Sequence, residues 1–139
     1  MFIIGFAAIA ADLIAPQHPA RDVVIMTPVP MTHETVSPGV ERFVCGVDQV
    51  IIRMATRDGS TAVGSIDVNG DAQSATDIEE VNRQLHQTDV HVESIGCAQA
   101  ENGPPMLSMS ARQDHHSWTV FMIRDHRIEP NRRGYNGRP

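Results

Sequence analysis

Residues 42–68 read RFVCGVDQVIIRMATRDGSTAVGSIDV, and this stretch decides the fold class. Residues 42–57 are rich in β-branched side chains, which favour an extended strand. Asp58-Gly59 follows, and this dipeptide is typical of a two-residue hairpin turn because both positions tolerate positive φ. Residues 60–68 then form the return strand. The sequence therefore predicts a long β-hairpin.

An amphipathic helix is predicted in the segment ATDIEEVNRQLHQ, which follows the hairpin. Its apolar residues Ile78, Val81 and Leu85 recur at the spacing of one helix face. Thr76 is a suitable N-cap, and Glu79 three residues later completes a capping box.

Three further strands are expected after the helix. DVHVESIGCAQ (89–99) alternates apolar and polar residues, and MLSMSARQ (106–113) and SWTVFMIRD (117–125) follow as two more apolar segments separated by turn residues. The order ββαβββ predicts an α+β domain. We expect a single small, largely antiparallel sheet of about five strands, with the amphipathic helix packed on one face.

The chain divides into four predicted segments. Residues 1–20 carry an apolar run and a small-x-small pattern, which together predict a signal peptide. No basic residue precedes the run, and the alternative is a buried N-terminal helix or strand. Residues 21–40 are expected to be an extended Pro-rich leader, in which DVVIMT could add one edge strand. The α+β core domain covers 41–126, and 127–139 are predicted to be a disordered Arg-rich tail because they lack a hydrophobic pattern.

Cys45 and Cys97 are the only cysteines, so a single pairing is possible. An even number of cysteines behind a predicted signal peptide indicates a disulfide. The alternative is two buried thiols in a cytosolic protein. The pair therefore predicts a periplasmic or secreted protein.

The segment that begins DVNGDAQSATDI resembles a calcium-binding loop. Asp67, Asn69 and Asp71 match the first three ligand positions of an EF-hand loop, and more closely of a dockerin repeat. The resemblance covers 67–85, and it implies a calcium-stabilised adhesion or docking module.

Two positions of this loop depart from the family pattern. The sixth position, where the family has Gly, is Ala72, and the twelfth, where it has a carboxylate, is Ile78. The alternative is a turn at Asn69-Gly70 that leads into a helix start, where the helix dipole favours acidic side chains. We therefore assign no metal to the loop.

Other potential metal ligands are scattered. His91 and Glu93 share a predicted strand face, and Met26, Met31 and His33 have the chemistry that suits Cu(I). Zinc requires three or four convergent ligands, and no local spacing supplies them. No cofactor is predicted.

The composition limits the class of partner. The formal net charge is −6 and the sequence contains no lysine, which argues against nucleic acid. The N-terminal apolar run is too short to span a membrane comfortably, and no other stretch is long enough to form a transmembrane helix. Nucleophile and phosphate-binding motifs are absent from the sequence, so catalysis is not expected.

The sequence thus predicts a small exported, disulfide-stapled domain of the bacterial cell envelope. We expect it to act as a non-catalytic binding or structural module for an envelope or extracellular partner. Two alternatives are a calcium-stabilised EF-hand or dockerin-like adhesion module, and a small secreted hydrolase with dispersed catalytic residues.

Overall fold

The computed structural model describes residues 25–132, which form two antiparallel sheets of five strands each and one short helix. The elements in chain order are β1 Met26–Pro28, β2 Thr32–Ser37, β3 Val40–Cys45, β4 Asp48–Arg57, β5 Ser60–Val68, β6 Asp71–Ala72, α1 Ala75–Leu85, β7 His91–Ala100, β8 Pro105–Gln113, β9 His116–Arg124 and β10 Arg127–Pro130. The first sheet has the order β2-β3-β4-β5-β6, and the second has the order β10-β9-β8-β7-β1. The prediction of a single α+β sheet covered by one helix is therefore wrong.

A tight turn at Gly46-Val47 accounts for part of this difference. The predicted strand over 42–57 is broken there, because the chain reverses and Cys45 pairs with Asp48 across the turn. Gly46 has a φ of +62°, as the first central residue of a type II′ hairpin turn requires. The expected hairpin is thus a three-stranded meander, β3-β4-β5, and its second turn lies at Asp58-Gly59 as predicted.

Strands also form outside the predicted core domain of 41–126. On the N-terminal side, β1 pairs with β7 at the edge of the second sheet, and β2 pairs with β3 at the edge of the first. The Pro-rich leader therefore contributes to both sheets from Met26 onward. The signal peptide predicted for 1–20 lies outside the described residues.

The folded part of the chain also extends beyond the predicted C-terminal boundary of the core domain at residue 126. Strand β10 pairs with β9 and buries Ile128, so the prediction of disorder is wrong for 127–130. A four-residue strand with one inward-facing aliphatic residue is too short to give a detectable hydrophobic period. The remaining predicted tail, 133–139, lies outside the described part of the chain.

Helix α1 is capped by Ser74 and not by Thr76. The backbone of Ser74 is extended, and its Oγ accepts a hydrogen bond from the N–H of Asp77 at 3.1 Å. Both features define an N-cap residue. Within residues 25–132 no helix is long and apolar enough to cross a membrane. The helix contacts β5, β9 and β10, and its buried residues are Val81, Gln84 and Leu85.

Two side-chain amides fasten α1 to both sheets. Asn82 accepts a hydrogen bond from the N–H of Val63 at 2.7 Å and donates one to the carbonyl of Val63 at 2.8 Å, as a neighbouring strand would. Gln84 is fully buried; it accepts a hydrogen bond from the indole of Trp118 at 2.9 Å and donates one to the carbonyl of Val120 at 3.1 Å. Satisfied buried amides of this kind fix the helix in one position.

The two sheets share one hydrophobic core and are joined by a disulfide. Cys45, at the end of β3, is bonded to Cys97 on β7, with a distance of 5.6 Å between their Cα atoms. The predicted disulfide is therefore present, and it links the first sheet to the second.

Candidate functional site

An apolar cleft of about 750 Å³ opens at the disulfide-bonded end of the two sheets. Its volume is within the range of about 300–1,000 Å³ that is usual for small-ligand sites. The first sheet contributes the β3–β4 turn, and the second sheet contributes ends of β1, β8 and β9. The apolar side chains that line it include Met26, Val47, Pro104, Pro105, Met106 and Met122.

Two of the apolar side chains in the walls of the cleft are well exposed. Val47, at the tip of its turn, is 82% exposed, and Met26 is 38% exposed. Ile25 extends this surface along the chain, with 77% of its area exposed. Contiguous exposed apolar patches mark interaction sites, and the thioethers of Met106 and Met122 can adapt to ligands of different shape.

The disulfide helps to fix the position of the β3–β4 turn, which carries Val47 at the edge of the cleft. Gly46 lies directly against the ring of Pro105, because a Cβ built on Gly46 would be 3.0 Å from that ring. The preceding residue, Cys45, is bonded to Cys97 in the opposite sheet. The two sides of the cleft belong to different sheets and are thus covalently joined beside it.

A carboxylate and an imidazole form the polar end of the cleft. The side chain of Asp48 is only 10% exposed, and its Oδ1 is 2.6 Å from Nδ1 of His126. The same oxygen accepts a hydrogen bond from Nδ2 of Asn69 at 2.9 Å. The contact with Asp48 requires a hydrogen on Nδ1, so Nε2 is the ring nitrogen left for other partners.

His126 is held by a turn with an unusual residue choice. Asp125 and His126 have φ values of +52° and +63° between β9 and β10. The turns at 58–59 and 69–70 also combine two positive φ values, and both have Gly second. Gly adopts this conformation without strain, whereas a side chain there costs about 1–3 kcal/mol. Strain of this kind clusters at functional sites, which makes His126 a candidate functional residue.

The chemistry of the cleft is set by apolar side chains with a few polar groups among them. None of the described residues that line it carries a hydroxyl or thiol. A cavity with apolar walls and a few convergent polar groups is the usual form of a ligand site. A second depression, of about 510 Å³ between α1 and β5, lacks exposed large apolar side chains of this kind.

The three residues of the calcium-loop resemblance lie in the β5–β6 hairpin and not between two helices. Asp67 forms an ion pair with Arg53 at 3.2 Å, and Asn69 donates to Asp48. Asp71 is exposed on β6. In the part of the chain that the structure describes, no three His, Cys, Asp or Glu side chains converge in a way that could hold a metal ion.

The other potential metal ligands are engaged in separate places. Arg112 donates a hydrogen bond to Glu93 at 2.8 Å, which lowers the pKa of Glu93. His33 is 2.6 Å from Glu41 on the first sheet, and this hydrogen bond lowers the pKa of Glu41. Met26 lies apart from them, at the cleft in the second sheet.

Sequence reasoning did not single out Asp48 or His126 as site residues. They are 78 positions apart and belong to different sheets, so no local spacing connects them. The sequence offers only a weak signal, because Asp125-His126 follows one apolar segment and the strand after it has no hydrophobic pattern.

No protein-family model, curated protein or solved structure matches this chain.

Proposed function

We propose that the protein is an exported binding module whose cleft holds an apolar group of its ligand or partner. The observation that carries the proposal is the exposed, Met- and Pro-lined cleft with its single polar end at Asp48 and His126.

Export is supported by the disulfide between Cys45 and Cys97, which is compatible with an exported, stabilised domain. Disulfides persist in oxidising compartments and are reduced in the cytosol. The bond lies beside the cleft, so an oxidising compartment would also be the one in which the cleft keeps its shape. The periplasm or the cell exterior is the proposed location, and the partner is an envelope or extracellular component.

The energetics favour an apolar ligand group. Covering one exposed aliphatic side chain contributes about 1.5–3 kcal/mol. A ligand group that covers Val47, which is 82% exposed, and Met26, which is 38% exposed, therefore gains a few kcal/mol, from which the cost of association must be subtracted. Affinities in the micromolar to millimolar range, about 4–8 kcal/mol, are expected for a small probe.

The test is a titration with Nile red, whose fluorescence rises in apolar sites. Val47→Ser should weaken binding by about fivefold to tenfold because it removes an exposed wall of the cleft. Val36→Ser is the matched control, since Val36 is 49% exposed on β2 and does not line the cleft. Equal affinities of Val47→Ser and the parent protein would reject the cleft as the binding site.

A second candidate function, a small hydrolase, is favoured by one observation. The Asp48 carboxylate orients the His126 imidazole at 2.6 Å, which is how a carboxylate positions a general base. Because the described lining residues carry no hydroxyl or thiol, His126 would act as a general base on water. Hydrolysis of a p-nitrophenyl ester that His126→Gln abolishes, with Nile red binding retained, would favour the enzyme over the binding module.

A further inference from the structure

We infer that the ligand group held in the cleft is an aliphatic stem that ends in a primary ammonium group. This chemistry is shared by a free alkylamine and by a lysine side chain of a partner protein. The inference rests on the proposed function, because it specifies the ligand of the same cleft. Three observations carry it: an incompletely used carboxylate, the balance of charge around the cleft, and the shape of the walls.

The first observation is the carboxylate of Asp48. Both described donors, His126 and Asn69, approach Oδ1. Neither of these two hydrogen bonds uses the other oxygen, Oδ2, of this side chain, which is nine-tenths buried and lines the cleft. Buried carboxylate oxygens are stable only with donors, so Oδ2 is suited to a donor that the ligand brings.

The second observation is the charge around the cleft. Asp48 and Asp125 line it, and Arg124 is the only arginine among the lining residues. The guanidinium of Arg124 is 3.4 Å from the carboxylate of Glu129, which offsets its charge. The carboxylates of Asp48 and Asp125 therefore outnumber the guanidinium of Arg124 in the lining, and the rim favours a cation over an anion.

The third observation is the wall of the cleft. Pro104, Pro105, Met106 and Met122 present aliphatic and thioether surface beside the polar end. An unbranched methylene stem packs against such a surface while its charged end remains at the carboxylate. Each buried methylene adds about fourfold to affinity. This sequence contains no lysine, so a second copy of it has no lysine side chain to place in the cleft.

The experiment compares three probes of equal chain length, hexylamine, 1-hexanol and hexanoate, by NMR titration of the disulfide-bonded protein at neutral pH. Hexylammonium should bind about tenfold more tightly than hexanol, because a charge-assisted hydrogen bond replaces a neutral one, and hexanoate should bind most weakly. Asp48→Asn should abolish the preference for the amine, so that hexylamine and hexanol bind to the variant with similar affinity. An unchanged methyl resonance of the buried Met109 shows that the variant is folded.

The outcomes separate the two proposals. Equal binding of hexylamine and hexanol by the parent protein would overturn the inference and leave the apolar cleft standing, whatever Asp48→Asn does. Absence of binding by all three probes would overturn both. A lysine-containing tripeptide and its norleucine counterpart distinguish the two sources. Preference for the lysine peptide over hexylamine assigns the stem to a protein partner, and the reverse assigns it to a free amine.

Discussion

Removal of the disulfide should lower the stability of the protein and also the affinity of the cleft for its ligand. The bond closes a loop of 52 residues between Cys45 and Cys97. In the chain-entropy model a loop of this length contributes about 4 kcal/mol to the free energy of unfolding. For a domain of this size that corresponds to a decrease in Tm of roughly 15 °C.

The structure adds a second expectation for the same change. Both cysteines are buried, and Cys45 precedes the turn that carries Val47. Without the bond, the turn is held by strand pairing within the first sheet alone and can move away from Pro105. The cleft wall then loses its fixed position, and Nile red should bind at least about threefold more weakly because binding first requires the wall to be ordered.

The assay uses Cys45→Ala/Cys97→Ala, with thermal unfolding followed by circular dichroism and with the Nile red titration. Wild-type protein that has been reduced in denaturant and refolded is the control, since it keeps the sulfur atoms and isolates the effect of the cross-link from that of lost packing. A Tm within two or three degrees of the oxidised protein for both samples would refute the loop-closure argument. An unchanged Nile red affinity in a clearly destabilised variant would refute the link between bond and cleft.

Three further predictions concern stability. Gln84→Leu should lower the free energy of unfolding in urea by about 2–3 kcal/mol, because the indole N–H of Trp118 then lacks its buried acceptor. Ile128→Ala should lower the free energy of unfolding by about 2–4 kcal/mol in the same assay, because Ile128 is 5% exposed and packs in the core. A disordered tail would show no such loss. The pKa of Glu41 is lowered chiefly by the hydrogen bond from His33, so its stabilising effect is present above the unfolded pKa and is lost as pH falls through the folded pKa. Glu41→Gln should therefore flatten the decrease in Tm below pH 4.5, the ordinary value for Glu, and an unchanged acid limb would contradict this.

Three features could be predicted from the sequence because each depends on a short segment or on a residue count. The Asp58-Gly59 turn, the apolar face of α1 and the single possible cysteine pair all depend on neighbouring residues or on simple counting. The turn at Gly46-Val47 was missed because a lone Gly within a β-branched segment also fits a continuous strand. That one omission merged β3 and β4.

The division into two sheets could not be predicted from patterns. Strands before and after α1 alternate apolar and polar residues in the same way in either arrangement. They do so if they pair in one sheet, and also if they belong to two sheets that face each other across a core. The deciding contacts are long-range: α1 lies against β5 on one side and against β9 and β10 on the other. The candidate site also depends on long-range contacts, because Asp48 and His126 come together only after both sheets have formed.

The most direct test of the cleft is a methionine NMR titration. With all methionine methyl groups labelled with ¹³C, the full chain is titrated with 1-hexanol. We expect shifts for Met26, Met106 and Met122, which line the cleft, and none for Met109, which is fully buried in the core. Shifts that spare the three cleft methionines, or that appear only at Met54 on the first sheet, would contradict the claim that this cleft is the binding site.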